Sequence, residues 1–279
     1  GNYNDEFLEI ETILKDEFGN KYSALAILEP ILKVDLNNFQ GLLLKARIYT
    51  SLQDYEKANL EFVKIISLGY INSEIYYHRA NYYKSLKEYD KQLKDLNKTI
   101  ELEPANPNFY YDRGLFYLFQ KEDYEKAITD FKSGLNLNPD NKDFYFQMAY
   151  SYEKLEQFDN AILTYRNLIE LEPKFYEAYI NIALIYKSIK NDYQNALKYY
   201  NKGIKNNTNT ADIYINRAEL LYDLNEYEKA LRDYNRAIEI NPKNSIAFYY
   251  RGFYYKKIGE YENAIKDFRN LIGATNPEE

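Results

Sequence analysis

The chain has 279 residues, 46% of them hydrophobic and 28% charged, with ten glycines and seven prolines, which describes an ordered soluble protein too long for one compact core and excludes disorder and collagen. Zero cysteines and one histidine exclude zinc fingers, thiol nucleophiles, iron–sulfur ligation, disulfides, histidine triads and multi-histidine metal sites, so no cofactor is expected. A formal charge of -7, from 36 Lys+Arg against 43 Asp+Glu, has the wrong sign for neutralising nucleic-acid phosphates. No apolar run approaches the roughly 20 residues that cross a bilayer, and no signal-like segment opens the chain. Because it begins Gly1-Asn2 and holds one methionine, Met148, it is expected to be a processed or truncated piece. Its compartment stays open between the cytoplasm and export with the signal removed.

The prolines set a period. Pro104, Pro139, Pro173 and Pro242 stand 35, 34 and 69 residues apart, the last interval spanning two repeats. They follow ELE, NLN, ELE and EIN, with EYDKQL, DYEKAI, QFDNAI and EYEKAL upstream. Self-similarity on this scale means stacked units. The units run 5–38, 39–72, 73–106, 107–141, 142–175, 176–210, 211–244 and 245–278. In each, apolar residues at positions 4, 8 and 11 and again at 20, 24 and 27 predict a helix, a tight turn and a second helix.

Taken in order, the first unit departs most from the pattern. Thr12 takes its small position 8, and Pro30 inside its second helix predicts a degenerate cap, kinked or broken there. In the third, Gln92 replaces the alanine of position 20. The fourth and sixth each carry one extra residue, near Lys121-Glu122-Asp123 and Lys190-Asn191-Asp192, expected in the turn between helices. The eighth keeps Ile265, Phe268, Leu271 and Ile272 in a helix with no successor, so either further chain or self-association through the terminal repeat is expected.

Position 8 is small in seven units (Ala46, Ala80, Gly114, Ala149, Ala183, Ala218 and Gly252) because the paired helices approach most closely there. Proline at position 32 ends the second helix. Positions 7 and 23 vary together. Arg79, Arg113, Arg217 and Arg251 accompany Asp95, Asp130, Asp233 and Asp267, and Lys45 accompanies Glu61. Units without a base at 7 (Glu11, Met148, Ile182) have no acid at 23 (Ile27, Thr164, Tyr199). This covariation predicts a structural bridge between first and second helices, within a repeat or to its neighbour.

Unit seven carries Tyr214, Ala218, Leu221, Tyr227, Ala230, Tyr234, Ala237 and Pro242 at positions 4, 8, 11, 17, 20, 24, 27 and 32, and unit eight follows with Phe248, Gly252, Tyr255, Tyr261, Ala264, Phe268 and Leu271. With these residues the chain resembles the tetratricopeptide repeat (TPR) family of 34-residue helix pairs over almost its whole length. The resemblance implies an all-α, right-handed superhelical solenoid of about eight helix-turn-helix repeats, forming a single domain over 1–279. It further implies that first helices line a concave wall, where positions 2, 5, 6, 9, 12 and 13 face a groove.

Position 5 reads Glu9, Leu43, Tyr77, Tyr111, Phe146, Ile180, Ile215 and Tyr249, and position 9 adds Asn81, Leu115, Tyr150, Leu184 and Phe253. Position 5 is either half buried by stacking or an adhesive aromatic stripe. Position 6 supplies His78, Asp112, Gln147, Asn181 and Asn216. Its amides Gln147, Asn181 and Asn216 are either a ladder for an extended peptide backbone or ordinary solvated side chains. His78, alone, is expected to line the groove or the surface, not to ligate or catalyse. The candidate contact residues are Tyr77, Asn81, Tyr111, Asp112, Phe146, Gln147, Tyr150, Asn181, Asn216 and Tyr249. The family's clamp for C-terminal carboxylates, with lysine at position 5, is absent. Position 2 is instead largely acidic (Glu6, Glu74, Asp143, Glu177, Asp212), which favours helix N-termini and disfavours an acidic ligand.

The expected function is a non-catalytic scaffold whose groove holds a protein or peptide partner. The alternative is the recognition segment of a larger enzyme whose catalytic domain lies outside the chain. RNA binding, by analogy with pentatricopeptide repeats of similar period, is disfavoured by the charge, the acidic position 2 and the pattern at positions 8, 20 and 32.

Overall fold

The computed structural model describes residues 3–206 and 209–275, with side chains as far as Leu271. These residues form α-helices and one π turn, without a strand, in two compact units, 1–139 and 140–279. No helix among the described residues is long and apolar enough to cross a membrane. The first compact unit holds four hairpins: α1 (Asn4–Lys15) with α2 (Lys21–Val34), α3 (Phe39–Ser51) with α4 (Tyr55–Ser67), α5 (Ser73–Ser85) with α6 (Tyr89–Leu102), and α7 (Pro107–Phe116) with α8 (Tyr124–Leu137). The second pairs α9 (Lys142–Lys154) with α10 (Phe158–Leu171), α11 (Tyr176–Ser188) with α12 (Tyr193–Asn206), α13 (Ala211–Asp223) with α14 (Tyr227–Ile240), and α15 (Ser245–Lys257) with α16 (Tyr261–Thr275).

Asparagine starts many of these helices. The side chains of Asn38, Asn72, Asn106, Asn141 and Asn244 accept from backbone N–H groups in the first turns of α3, α5, α7, α9 and α15, satisfying donors that the helix cannot satisfy itself. Glu6, Glu74, Asp143, Glu177 and Asp212 lie in the first turns of their helices, as the backbone dipoles favour. Tight turns inside the hairpins pass through a left-handed residue at Gln53, Lys87, Glu122, Glu156, Asn191, Asn225 and Gly259.

Two local expectations need correction. Of the kink or break expected at Pro30, the break does not occur: helix α2 continues from Lys21 to Val34. Pro30 and Ala26, whose carbonyl loses its helical donor, are both exposed, so the missing bond falls on the solvent side. The extra residue of the fourth repeat is not accommodated in the loop. It widens the end of the first helix into a π turn over Tyr117–Lys121, after which Glu122 turns left-handed. In the sixth repeat the extra residue does sit in the loop, where Asn191 has φ 52°.

Within each compact unit the core lies between the helices of a hairpin and between successive hairpins. Ala46, Ala80, Ala149, Ala183 and Ala218 are buried at the close approach, and Gly114 and Gly252 complete that series. A β-carbon on Gly114 would overlap Phe131 Cε1 and stand 2.8 Å from its Cδ1. In the last hairpin Phe268 faces Gly252 in the same way, so it belongs to the hairpin's interior and not to an open face. Ile265 is exposed and Leu271 half buried, while the side chain of Ile272 lies outside the described residues.

The covarying pairs meet inside their own repeats. Arg79, Arg113, Arg217 and Arg251 each donate twice to Asp95, Asp130, Asp233 and Asp267, at 2.6 to 2.8 Å, and Lys45 reaches Glu61 at 2.8 Å. Three of the guanidiniums use a further N–H on the preceding repeat: Arg113 donates to Asn97, Arg217 to Asn201 and Arg251 to Asn235. Each therefore fastens its hairpin and ties it to the one before. The bidentate fork requires arginine.

Candidate functional site

Neighbouring first helices pack side by side within each compact unit, α1 on α3 and α3 on α5, α11 on α13 and α13 on α15, more closely than the second helices pack on one another. Residues that point along this shared face, and that the stacking leaves over, form the candidate site.

In the first compact unit Tyr77 is half buried, with its ring 5.4 Å from Phe109 of the next hairpin. Its hydroxyl donates to Asp112 and receives a hydrogen bond from Asn81. Burial pushes the Asp112 carboxyl up, and the Tyr77 hydroxyl works against that rise. Arg47 forks onto Glu11, and the Glu74 carboxyl is raised by burial despite Arg47. Tyr111 is half buried, its ring 6.0 Å from Phe131 beneath it. Tyr77, Asn81 and Asp112 are thus one bonded cluster, and Tyr111 belongs partly to the core.

His78 packs edge-on to the Tyr77 ring at 5.3 Å. Burial, then the nearby Arg47 guanidinium, push its pKa down from 6.5 to about 3. Between those values the unfolded chain binds the extra proton and the fold does not, so stability rises with pH. His78 therefore costs stability as pH falls from about 6.5 toward 3. We expect His78→Gln to flatten the drop in urea midpoint between pH 7 and pH 4. An unchanged drop would place the acid sensitivity elsewhere.

In the second compact unit the position-5 residues divide. Phe146 is half buried, 5.9 Å from Tyr165 and 5.4 Å from Phe175; Ile180 and Ile215 are buried; Tyr249 is 43% exposed. The apolar series is therefore interrupted at the surface. The amides also differ. Asn181 donates to the Tyr165 hydroxyl at 2.9 Å, and Asn216 donates back to the carbonyl of Asp212 at 2.8 Å. Gln147 has no side-chain bond among the described residues. Tyr150 is half buried under the Lys154 ammonium, 5.0 Å from its ring centroid.

Three tyrosines at position 24, Tyr165, Tyr200 and Tyr234, pass beneath the first helices where other repeats carry Leu or Phe. Tyr165 donates to Glu153 at 2.5 Å, and the Glu153 carboxyl is raised by burial. The Tyr200 hydroxyl is buried with no hydrogen-bond partner among the described residues. Tyr234 opens into a cavity of about 300 Å³, walled by Glu219, Tyr222 and Asp223 of α13 and by Tyr249, Tyr250 and Phe253 of α15.

Of these wall residues, only Tyr249 is among the contact candidates named from the sequence; the others occupy positions 6, 9, 12 and 13, which the family resemblance assigns to the same face. Comparing copies would have found Glu219, because it is the one acid at position 9, where the other repeats carry Ile13, Arg47, Asn81, Leu115, Tyr150, Leu184 and Phe253. Among the described residues no group of three or more His, Asp or Glu side chains is arranged to hold a metal ion.

Comparison with known proteins agrees with this architecture. Models of the tetratricopeptide repeat match residues 73–106, 143–175, 176–210, 211–244 and 233–266, and a TPR repeat model matches 117–156. None of the curated proteins compared with the chain matches it. Among solved structures, the C-terminal part of a TPR repeat-containing protein from Cytophaga hutchinsonii is 20% identical with a TM-score of 0.64, covering 85% of this chain and 96% of its own. Pseudomonas aeruginosa pilF is 16% identical with a TM-score of 0.55, covering 74% of this chain and 93% of its own. A tetratricopeptide repeat protein from Parabacteroides merdae is 20% identical with a TM-score of 0.53, covering 94% and 100%. The hairpin pattern, its close-approach residues and these family matches agree: the chain belongs to the tetratricopeptide repeat family.

Proposed function

We propose that the chain is a non-catalytic interaction scaffold that holds a protein or peptide partner along the groove-facing side of its first helices. The observation that carries this reading is the surplus on that face. In the second compact unit Leu184 and Tyr249 are exposed and the Gln147 amide has no side-chain hydrogen bond among the described residues, although the hairpins stack without needing any of them. Exposed aromatic and amide groups along one face supply apolar contact area and paired donors and acceptors for a backbone. An acidic position 2 favours neutral or basic partners over acidic ones.

Tyr111, Phe146 and Asn181 are poor probes of this face because their side chains also pack on or bond to the tyrosine and phenylalanine layer beneath. The combined substitution Gln147→Ala and Leu184→Ser leaves that layer intact. Partners co-purified from the native host are expected to be lost from this variant while its circular dichroism and melting temperature stay unchanged. Retention of the partner by this variant, with loss on Leu60→Ser and Leu163→Ser on the exposed sides of α4 and α10, would move the site to the second helices.

A further inference from the structure

The cavity between α13 and α15 has a chemistry of its own. Its volume, about 300 Å³, is at the small end of ligand pockets and suits one long side chain. Tyr250 stacks on Tyr234 with ring planes 7° apart and centroids at 6.2 Å, Tyr249 stands edge-on to Tyr250 at 5.3 Å, and Phe253 closes the wall 4.8 Å from Tyr249. The walls are therefore mostly aromatic.

Two carboxylates enter this aromatic box. Asp223 is paired with Lys187 at 2.7 Å. Glu219 has no ion pair within bonding distance among the described residues; it accepts from the Tyr250 hydroxyl, and burial raises its carboxyl although Tyr250 and the nearby Lys187 ammonium lower it. A second, independent feature points the same way. Tyr234 is 2% exposed and lines the cavity, yet its hydroxyl has no hydrogen-bond partner among the described residues. The cavity thus offers acceptors, a half-buried carboxylate with no cation within ion-pair distance among the described residues, and aromatic walls. Two of these rings already have a cation nearby: Lys257 Nζ lies 4.7 Å from the Tyr222 centroid and Lys256 Nζ 5.9 Å from that of Phe253.

We propose that this cavity is a specificity pocket for an arginine side chain of the partner, with the guanidinium hydrogen-bonded to Glu219 and the Tyr234 hydroxyl and stacked on the Tyr249 and Phe253 rings. A guanidinium is all donor and planar, which matches a carboxylate, a free hydroxyl oxygen and aromatic walls. The assignment rests on the scaffold reading and adds to it one anchor residue on the partner.

The test titrates the full chain with acetyl-Gly-Arg-Gly-amide while following its aromatic resonances by NMR, with the citrulline peptide as a neutral isostere. The arginine peptide is expected to shift the Tyr249, Tyr250 and Phe253 signals saturably. The citrulline peptide, and the arginine peptide on Glu219→Gln, are expected to bind at least about tenfold more weakly, the loss expected when a buried charged hydrogen bond is removed. Tyr249→Leu, which keeps Glu219, is expected to weaken the arginine peptide too and serves if Glu219→Gln fails to fold. Equal binding of the two peptides, undiminished binding to the variants, or no saturable shift would overturn the pocket. Failure of the pocket and of the scaffold reading are separable. A co-purified partner kept by Glu219→Gln but lost from the Gln147 and Leu184 variant sinks the pocket alone.

Discussion

Arg113→Ala is expected to lower the unfolding free energy by about 3–5 kcal/mol, the cost of stripping a buried carboxylate of its cation. Asp130 is 3% exposed and receives two N–H groups from Arg113, at 2.8 and 2.6 Å. The third contact, to Asn97 at 2.8 Å, disappears as well and loosens the preceding hairpin. Exposed pairs such as Lys126–Asp123 contribute at most about 1 kcal/mol, so Lys126→Ala is the matched control. Replacing both partners, Arg113→Met with Asp130→Leu, is expected to recover most of the loss, because an apolar pair of similar volume is close to neutral. Urea unfolding of the three variants checks this. A loss below about 1 kcal/mol for Arg113→Ala would show that the pair is not a dry, forked contact.

Gly114→Ala sets two effects of opposite sign against each other. Removing a glycine from a helix interior gains up to about 1 kcal/mol. Overpacking a tight core costs about 1–3 kcal/mol. The new methyl would overlap the ring of Phe131, which is 0% exposed and cannot move aside, so the cost wins and a net loss of about 1–2 kcal/mol is expected. Combining it with Phe131→Leu makes room and should recover part of the loss. Gly252→Ala meets Phe268 at 2.7 Å, but that ring is only half buried and can shift, so its loss should be smaller. A stabilised Gly114→Ala protein would mean that the helices of this hairpin sit farther apart than the structure shows.

The hairpins were legible in the sequence because a repeat supplies its own comparison. The small residues at position 8 and the Arg–Asp covariation located the close approach and the bridge, and both are present where the spacing put them. Two details escaped because they depend on which side of a helix faces water or on local winding: α2 tolerates Pro30, and α7 takes its extra residue into a π turn. The site was less legible. Position 5 looks uniform in sequence, yet Ile180 and Ile215 are buried while Tyr249 is exposed, since burial there depends on how each hairpin leans on the next. The tyrosine hydroxyls at position 24 were hidden for another reason. An aromatic at a core position is indistinguishable in sequence from a plain apolar one, and only the structure shows Tyr165 reaching Asn181 and Tyr234 opening into the cavity.

Whether the first helices are the binding face is decided by hydrogen exchange of the chain with and without a co-purified partner. Added protection is expected on the first helices α5, α9, α11, α13 and α15, with α6, α10, α12 and α14 unchanged. Protection confined to the second helices would show that the partner sits on the opposite face.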